Sequence, residues 1–262
     1  MWPPISAGWG LMYGNAHGRK MPGRESRRSF PTRSRSVYEA DRGRIQGRDV
    51  MANRSTDKEK VIILGAGPFA EDVADLISQT VSQEVVGFVE GLDRQRCAHL
   101  LLGLPVWWVE EIGPFRDTCK AVCAVGTPKR EVFIAQAYAQ GLPFTTVIHP
   151  AARVSATSRL GEGTIVGPGV VVASHTVIGR HVVVNRGSLI GHHVRIDDYA
   201  TICPGVNIAG RAHIGAASFL GMGAIIIDGV SVGRHCLIAA GAVVTRDVPE
   251  RTRLAGVPAR AF

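Results

Sequence analysis

Residues 165–194 read IVGPGV VVASHT VIGRHV VVNRGS LIGHHV when cut in sixes. The second residue of each block is aliphatic, and the sixth is small or β-branched. The frame runs on in both directions without a gap. From Val147 to Val248 it gives 17 consecutive blocks whose second residue, Ile148 to Val244, is aliphatic. The sixth is Ala, Ser, Thr, Val or Cys every time. A repeat this short, kept this long, predicts a β-solenoid with three flat faces per coil and one hexad per face. The aliphatic points inward, and the small residue fits the corner where two faces meet. Three hexads make a coil of 18 residues, so the repeat supplies about five and a half coils. No block is broken by a projecting loop.

Upstream the rhythm changes. VIILGAG (61–67) reads as a short buried strand running into glycines, and FAEDVADLISQT (69–80) as an amphipathic helix. EVVGFVE (84–90) and LPVWWVEEI (104–112) follow as strands. AVCAVG (121–126) leads into a helix, KREVFIAQAYAQGL (129–142), and FTTVIH (144–149) is a last strand. Strand alternating with helix at this spacing predicts a small parallel α/β unit. The expected layout is a tail over 1–58, a Rossmann-like unit over 59–146, the solenoid over 147–248 and a C-terminal segment over 249–262.

The net charge of +8 is concentrated at one end. Residues 1–60 hold 13 Lys/Arg against 6 Asp/Glu, which leaves the remaining 202 residues nearly neutral. The segment 1–58 is rich in Arg, Ser, Gly and Pro without apolar period, and is expected to be a disordered basic tail. Its first 38 residues contain one acid, Glu25, the composition of a transit peptide, whereas Met51 opens a stretch that reads as a natural start. Nucleic acid is therefore not an expected partner of the folded part. No run of 18 apolar residues exists, so membrane insertion is not expected. The five cysteines (97, 119, 123, 203 and 236) form no C-x-x-C pair and are expected as buried thiols in a reducing cytoplasm.

The chemistry concentrates at His192 and His193. In block 189–194 Ile190 points inward and Val194 fills the corner, so His192 falls on the turn between them and faces outward. Imidazole, with an ordinary pKa of about 6.5, takes a proton from an amine or hydroxyl at neutral pH. Gly210 lies 18 residues on, one coil away, about 4.8 Å along the solenoid axis. His175, His181, His193 and His235 all occupy the fifth hexad position and are expected as solvated turn residues, with His175 and His193 stacked on adjacent coils. The loop GAGPFA (65–70) follows a strand and opens a helix. Its amides are placed to cradle a phosphate, or its glycines serve a tight turn; the spacing leaves both open.

These hexads resemble the left-handed parallel β-helix of the hexapeptide-repeat acyltransferases. With the glycine-rich α/β unit in front, the chain resembles in particular the sialic-acid O-acetyltransferases and the bacillosamine-pathway nucleotide-sugar N-acetyltransferases. The likeness covers about residues 60–262 and includes GVPAR (256–260) near the C-terminus. It implies a cytoplasmic homotrimer that uses acetyl-CoA and no metal, with a nucleotide sugar or sugar held by the α/β unit. It implies that His192 is a general base acting without an acyl-enzyme, with Asn185 beside it. The Gly210 N–H is the implied donor to the thioester oxygen, an effect of about 3 kcal/mol in comparable oxyanion holes. Gly256, Pro258 and Arg260 are implied acetyl-CoA contacts, and Gly65, Gly67, Glu90 and Gly126 line the implied nucleotide-sugar pocket. Two positions depart from the family. His193 stands where the family has an acid that orients the base, and Thr201 where it has a histidine that helps to hold the acyl donor.

Other readings remain. O-acetylation of a sugar or sialic acid is the alternative within the same chemistry, and a non-catalytic trimer that binds nucleotide sugars is the alternative outside it. The γ-type carbonic anhydrases share the solenoid, but they need three histidines around one zinc, and their His-x4-His spacing is absent.

Overall fold

The computed structural model describes residues 58–262, so the expected tail falls outside the described residues up to its last position, Lys58. The α/β unit comes first. Strand β1 (Glu59–Leu64) is followed by α1 (Pro68–Ser78), β2 (Gln83–Glu90), β3 (Val106–Trp108), β4 (Lys120–Cys123) and α2 (Arg130–Ala139). The sheet is parallel throughout, in the order β3-β2-β1-β4. A single 3-10 turn, Arg94–Ala98, stands in place of a helix between β2 and β3, and two more, Val109–Glu111 and Gly113–Phe115, lie between β3 and β4. After Glu59 and Lys60, strand β1 is an unbroken apolar run from Val61 to Leu64 because helices cover both of its faces: Val61 and Ile63 pack with Val73 and Ile77 of α1, and Ile62 and Leu64 with Ile134 and Ala137 of α2.

From Val147 the chain coils. Seventeen two-residue strands, Val147–Ile148 to Val243–Val244, fall one to each hexad. They stack with an 18-residue register into three parallel sheets, for example Val183 against Ile165 and Thr201. This is a β-helix. The second-position aliphatics from Val166 to Val244 form one continuous core. The first coil departs from the expected pattern: Ile148 is 40% exposed, because no coil lies above it to complete the inner layer. Serines and threonines at the sixth position are buried in the corners and donate to a carbonyl 15 residues on, as Thr176 does to Gly191 (2.8 Å) and Ser218 to Gly233 (2.8 Å). The fifth position has positive φ at 14 consecutive turns from Gly163 to Gly241, which suits glycine and, among the other residues, histidine. The chain ends in an antiparallel pair, Arg253–Ala255 with Arg260–Ala261.

The α/β unit lies on the outer side of one face, the sheet that contains Val147–Ile148, Ile165–Val166, Val183–Val184 and Thr201–Ile202. Val147, Ile165 and Val183 are buried against α1. At α2 the contact is polar. The Arg130 guanidinium is buried and donates to the carbonyl of His181 (3.0 Å), the hydroxyl of Thr201 (2.8 Å) and the carbonyls of Tyr199 (2.8 Å) and Ala200 (2.7 Å). No carboxylate among the described residues joins this group. Four oriented dipoles hold the charge, and burial lowers the Arg130 pKa to about 10, still protonated at neutral pH.

His181 corrects an expectation. It has the turn conformation foreseen for the fifth position, φ 54°, but is buried at this junction rather than solvated. Its ring stacks on Tyr199 (5.5 Å, 11°) and meets the edge of Phe144. Tyr138 donates to Glu162 (3.0 Å) and so accepts from His181 Nε2 (3.0 Å). Nδ1 is left as a bare acceptor with no partner among the described residues. It lies against Gly163 one coil earlier, where a Cβ would come within 2.1 Å of it. Burial lowers the His181 pKa from 6.5 to about 4.

Two outcomes follow. Replacing Arg130 by Ala leaves the carbonyls of His181 and Tyr199 and the Thr201 hydroxyl without their donor under α2, and is expected to lower stability by about 3 kcal/mol or more in denaturant titration; R130K, with a single point charge, recovers only part of this. Between pH 6.5 and about 4 the unfolded chain binds a proton that the folded His181 refuses, so stability falls as the pH drops through that window. In H181N this contribution to the pH slope of the unfolding free energy disappears.

Candidate active site

The 18-residue register builds one outward column from the fourth hexad position. His192, Gly210, Asp228 and Arg246 lie on four successive coils at the corner between the sheet containing Leu189–Ile190 and the sheet containing Arg195–Ile196. His192 is exposed. Its imidazole covers Gly210 so closely that a Cβ there would lie 2.8 Å from both Cε1 and Nε2. Glycine at 210 is thus a steric requirement of the histidine above it. The Gly210 carbonyl accepts from Gly229 N (2.9 Å), while its N–H has no partner among the described residues. An amide without a partner and the imidazole of His192 therefore lie on adjacent coils of one column. On the far side of Gly210, Asp228 pairs with Arg211, which balances its charge.

The other nitrogen of His192 is engaged. Nδ1 of His192 and Nδ1 of His193 are 3.1 Å apart, with the rings perpendicular (85°). His193 packs on His175 of the preceding coil, centroids 4.9 Å apart, in the stack expected from their spacing. Among the described residues no three ligating side chains converge on a point where a metal ion would fit.

Several expected site residues lie elsewhere. Asn185 follows Val183–Val184 and occupies the next corner round the coil, so one chain does not bring it beside His192. It lines a cavity of about 60 Å³ under α1 with Asp72, Gln79, His149 and Arg186. Its Oδ1 accepts from Arg186 N (2.8 Å). Thr201 corrects its expected contact with the acyl donor: it is buried beneath α2, and its hydroxyl accepts from Arg130. The first hexad position on this face points at the α/β unit rather than at solvent. Gly256, Pro258 and Arg260 lie together at the C-terminal end, where Val243 N donates to Gly256 O (3.1 Å) and Ala259 N to Val243 O (2.8 Å). A groove there is lined by Thr245, Arg246 and Arg260. Arg246 is three coils from His192, about 14 Å along the axis.

The expected nucleotide-sugar residues gather at the C-terminal edge of the parallel sheet. Gly65 and Gly67 follow β1, Glu90 ends β2, and Gly126 follows β4. The chain turns from β1 to opposite sides for β2 and β4, and such a switch point is where open α/β sheets take ligands. Gly65 needs its glycine, with φ 117° and its N–H bonded to Val89 O (2.8 Å). Gly67 caps α1. At Gly126 a Cβ would meet only Phe69, at an ordinary 3.7 Å. Glu90 is buried and turns back on its own loop, accepting from Gly91 N and Leu92 N (2.9 Å each). Arg96 was not foreseen. From a single 3-10 turn with no periodic signal, it reaches over the loop to Glu90 (3.5 Å) and the Ala66 carbonyl (3.4 Å). All five cysteines are free thiols, with Cys97 and Cys203 only partly buried. No helix among the described residues is long and apolar enough to cross a membrane.

Residues 211–246 match the family model "Bacterial transferase hexapeptide (six repeats)". The structure is similar to that of PerB from Caulobacter crescentus in complex with CoA and GDP-perosamine (30% identity, TM-score 0.72, 78% of this chain and 97% of that one). It is also similar to the acetyltransferase domain of PglB from Neisseria gonorrhoeae in complex with acetyl coenzyme A (28% identity, TM-score 0.72, 79% and 100%). Among curated relatives, the serine acetyltransferase of Synechococcus elongatus is 30% identical over 121 residues, 43% of this chain and 41% of that protein. The chain spans less than half the length of the first of the curated relatives that it matches. It belongs to the hexapeptide-repeat acyltransferases.

The contact between His192 and Gly210 gives a direct test of this geometry. G210A is expected to fold, since the column faces solvent, but to push the imidazole aside. Transferase activity should fall roughly tenfold or more, a part of the 10²–10⁴ that a positioned general base contributes, with the melting temperature unchanged.

Proposed function

We propose that the chain is an acetyl-CoA-dependent acetyltransferase acting on the amine of a nucleotide-linked amino-sugar. The observation that carries this is the close cover of Gly210, whose N–H has no partner among the described residues, by the His192 imidazole, at the head of a column that runs to the groove of Arg246 and Arg260. The acyl group has its place at the head of the column, and the two arginines suit the phosphates at the far end of coenzyme A. The solved PerB and PglB structures, 28–30% identical, support the same class of substrates. Variants in which one histidine is replaced were among the perosamine N-acetyltransferases crystallised with CoA and GDP-perosamine.

The steps balance without an acyl-enzyme. The amine nitrogen attacks the thioester carbonyl carbon, and His192 Nε2 takes the proton that the nitrogen loses. The new C–N bond leaves negative charge on the carbonyl oxygen, where the Gly210 N–H donates to it. The intermediate collapses with cleavage of the C–S bond, and the imidazolium returns its proton to the departing thiolate. The products are the amide and free coenzyme A. The sugar nucleotide belongs at the switch point of the α/β sheet, with Gly65, Gly67, Gly126 and Arg96 nearby and Glu90 shaping the loop. An imidazole beside the base, in place of a carboxylate, favours an amine over a hydroxyl, which asks more of the base.

A homotrimer completes this reading. The sheet between the corners of Asn185 and His192 turns Val171, Leu189 and Ile225 to solvent, each 39–46% exposed in the single chain. A second copy against this apolar stripe buries it and brings one copy's Asn185 corner towards the other's His192. The implied compartment is the cytoplasm, where acetyl-CoA and nucleotide sugars occur together.

Release of free thiol from acetyl-CoA tests the function. It is expected only with a nucleotide-linked amino-sugar as acceptor; release with the hydroxyl analogue instead assigns O-acetylation, and none with either leaves a binding scaffold. H192A should lose turnover by 10²-fold or more while keeping its coenzyme A affinity, and full activity in that variant would sink the base assignment.

A further inference from the structure

We propose that His193 is a positioning residue that holds His192 in the tautomer with a bare Nε2, doing with a neutral acceptor what a carboxylate does elsewhere. The proposal rests on His192 being the base. The two Nδ1 atoms, 3.1 Å apart, share a single proton, since two N–H groups facing each other at that distance would repel. If His193 carries it, His192 has its remaining proton on Nε2 and cannot accept another there while neutral. If His192 carries it, Nε2 is the acceptor, and it is Nε2 that covers Gly210. The productive arrangement is therefore the one in which His193 accepts.

The backbone makes His193 suited to this. Its φ of 58° belongs to the left-handed turn repeated at the fifth hexad position from Gly163 to Gly241, and its N–H donates to Ser174 O (3.0 Å). That turn swings the Cβ of residue 193 beside the ring of residue 192, edge towards face. His175, in the same conformation one coil earlier (φ 58°), packs against the His193 ring and limits its rotation. On the following coil Arg211 occupies the same column, with its guanidinium drawn to Asp228. No carboxylate among the described residues is bonded to either imidazole. The imidazolium that forms on His192 during transfer is therefore supported by a neutral lone pair, and His193 must stay unprotonated to supply it.

Three substitutions at one position separate the acceptor from the bulk. H193G removes the acceptor and suits the turn, as Gly187 and Gly205 do at the same hexad position. Asparagine and aspartate also tolerate positive φ, and both carry an oxygen at the bond distance from the backbone that Nδ1 has. H193G is expected to lower kcat roughly tenfold, a part of the 10²–10⁴ that a general base contributes. KM for acetyl-CoA and for the amino-sugar should stay unchanged. H193N should recover most of that loss. H193D should recover it and move the acid limb of the kcat/KM profile to higher pH, because a carboxylate favours the imidazolium. A silent H193G alongside an inactive H192A would overturn the positioning role and leave the base assignment intact. An H193N as slow as H193G, with the same melting temperature, would overturn it as well. Full activity in H192A would remove both readings together.

Discussion

Each residue of the solenoid stands over the one 18 positions before it, and backbone hydrogen bonds fix that register. Ile165 N donates to Val182 O, Val183 N to Ala200 O and Thr201 N to Ser218 O, coil after coil. No single bond of this kind is strong, since each contributes about 1 kcal/mol net. Their effect is geometric: a side chain can be moved along the axis only in whole coils. The juxtaposition of His192 and Gly210 is a consequence of this constraint. It needs no loop to close and no helix to dock, because the backbone that builds the core also sets the spacing of the site.

A second lock joins the solenoid to the α/β unit. A buried cation without a carboxylate is unusual, because burying a charge requires several well-placed dipoles. Arg130 finds them at one corner, where the carbonyls of His181, Tyr199 and Ala200 and the hydroxyl of Thr201 point at α2. The guanidinium fork is satisfied only when the helix and the corner are correctly aligned. His181 adds a neutral aromatic layer under the same helix. Fixing α2 in this way also fixes the loop before it, and with it one wall of the switch point at the sheet edge.

How much of this could be read from the sequence depended on whether a feature was periodic. The hexads dictated the coil, its three faces and the outward placement of His192, because a period of six leaves one arrangement for aliphatic side chains. The alternation from Val61 to Thr146 gave the α/β unit for the same reason. What periodicity does not encode is which outer face is covered. Thr201 and His181 sit in ordinary hexad positions, and only docking of α2 removes them from solvent. Arg130 opens a helix and looks like any exposed basic residue until the carbonyls beneath it are in place. Asn185 lies past a corner from His192 within one chain, because seven residues span more than one hexad, and a period of six says nothing of which corners meet between copies. Arg96 left no trace because a 3-10 turn has no amphipathic signature.

The left-handed fifth position has an evolutionary side. It admits glycine, asparagine, aspartate and histidine with little strain, and the last three have codons that differ from one another by one nucleotide. At residue 193 these are the side chains that can offer an acceptor to the neighbouring imidazole. With His192 as the proposed base, its strength is therefore open to retuning by a single point mutation that leaves every coil in place. The turn separates the chemistry of the site from the stability of the prism, and a lineage can vary one without risking the other.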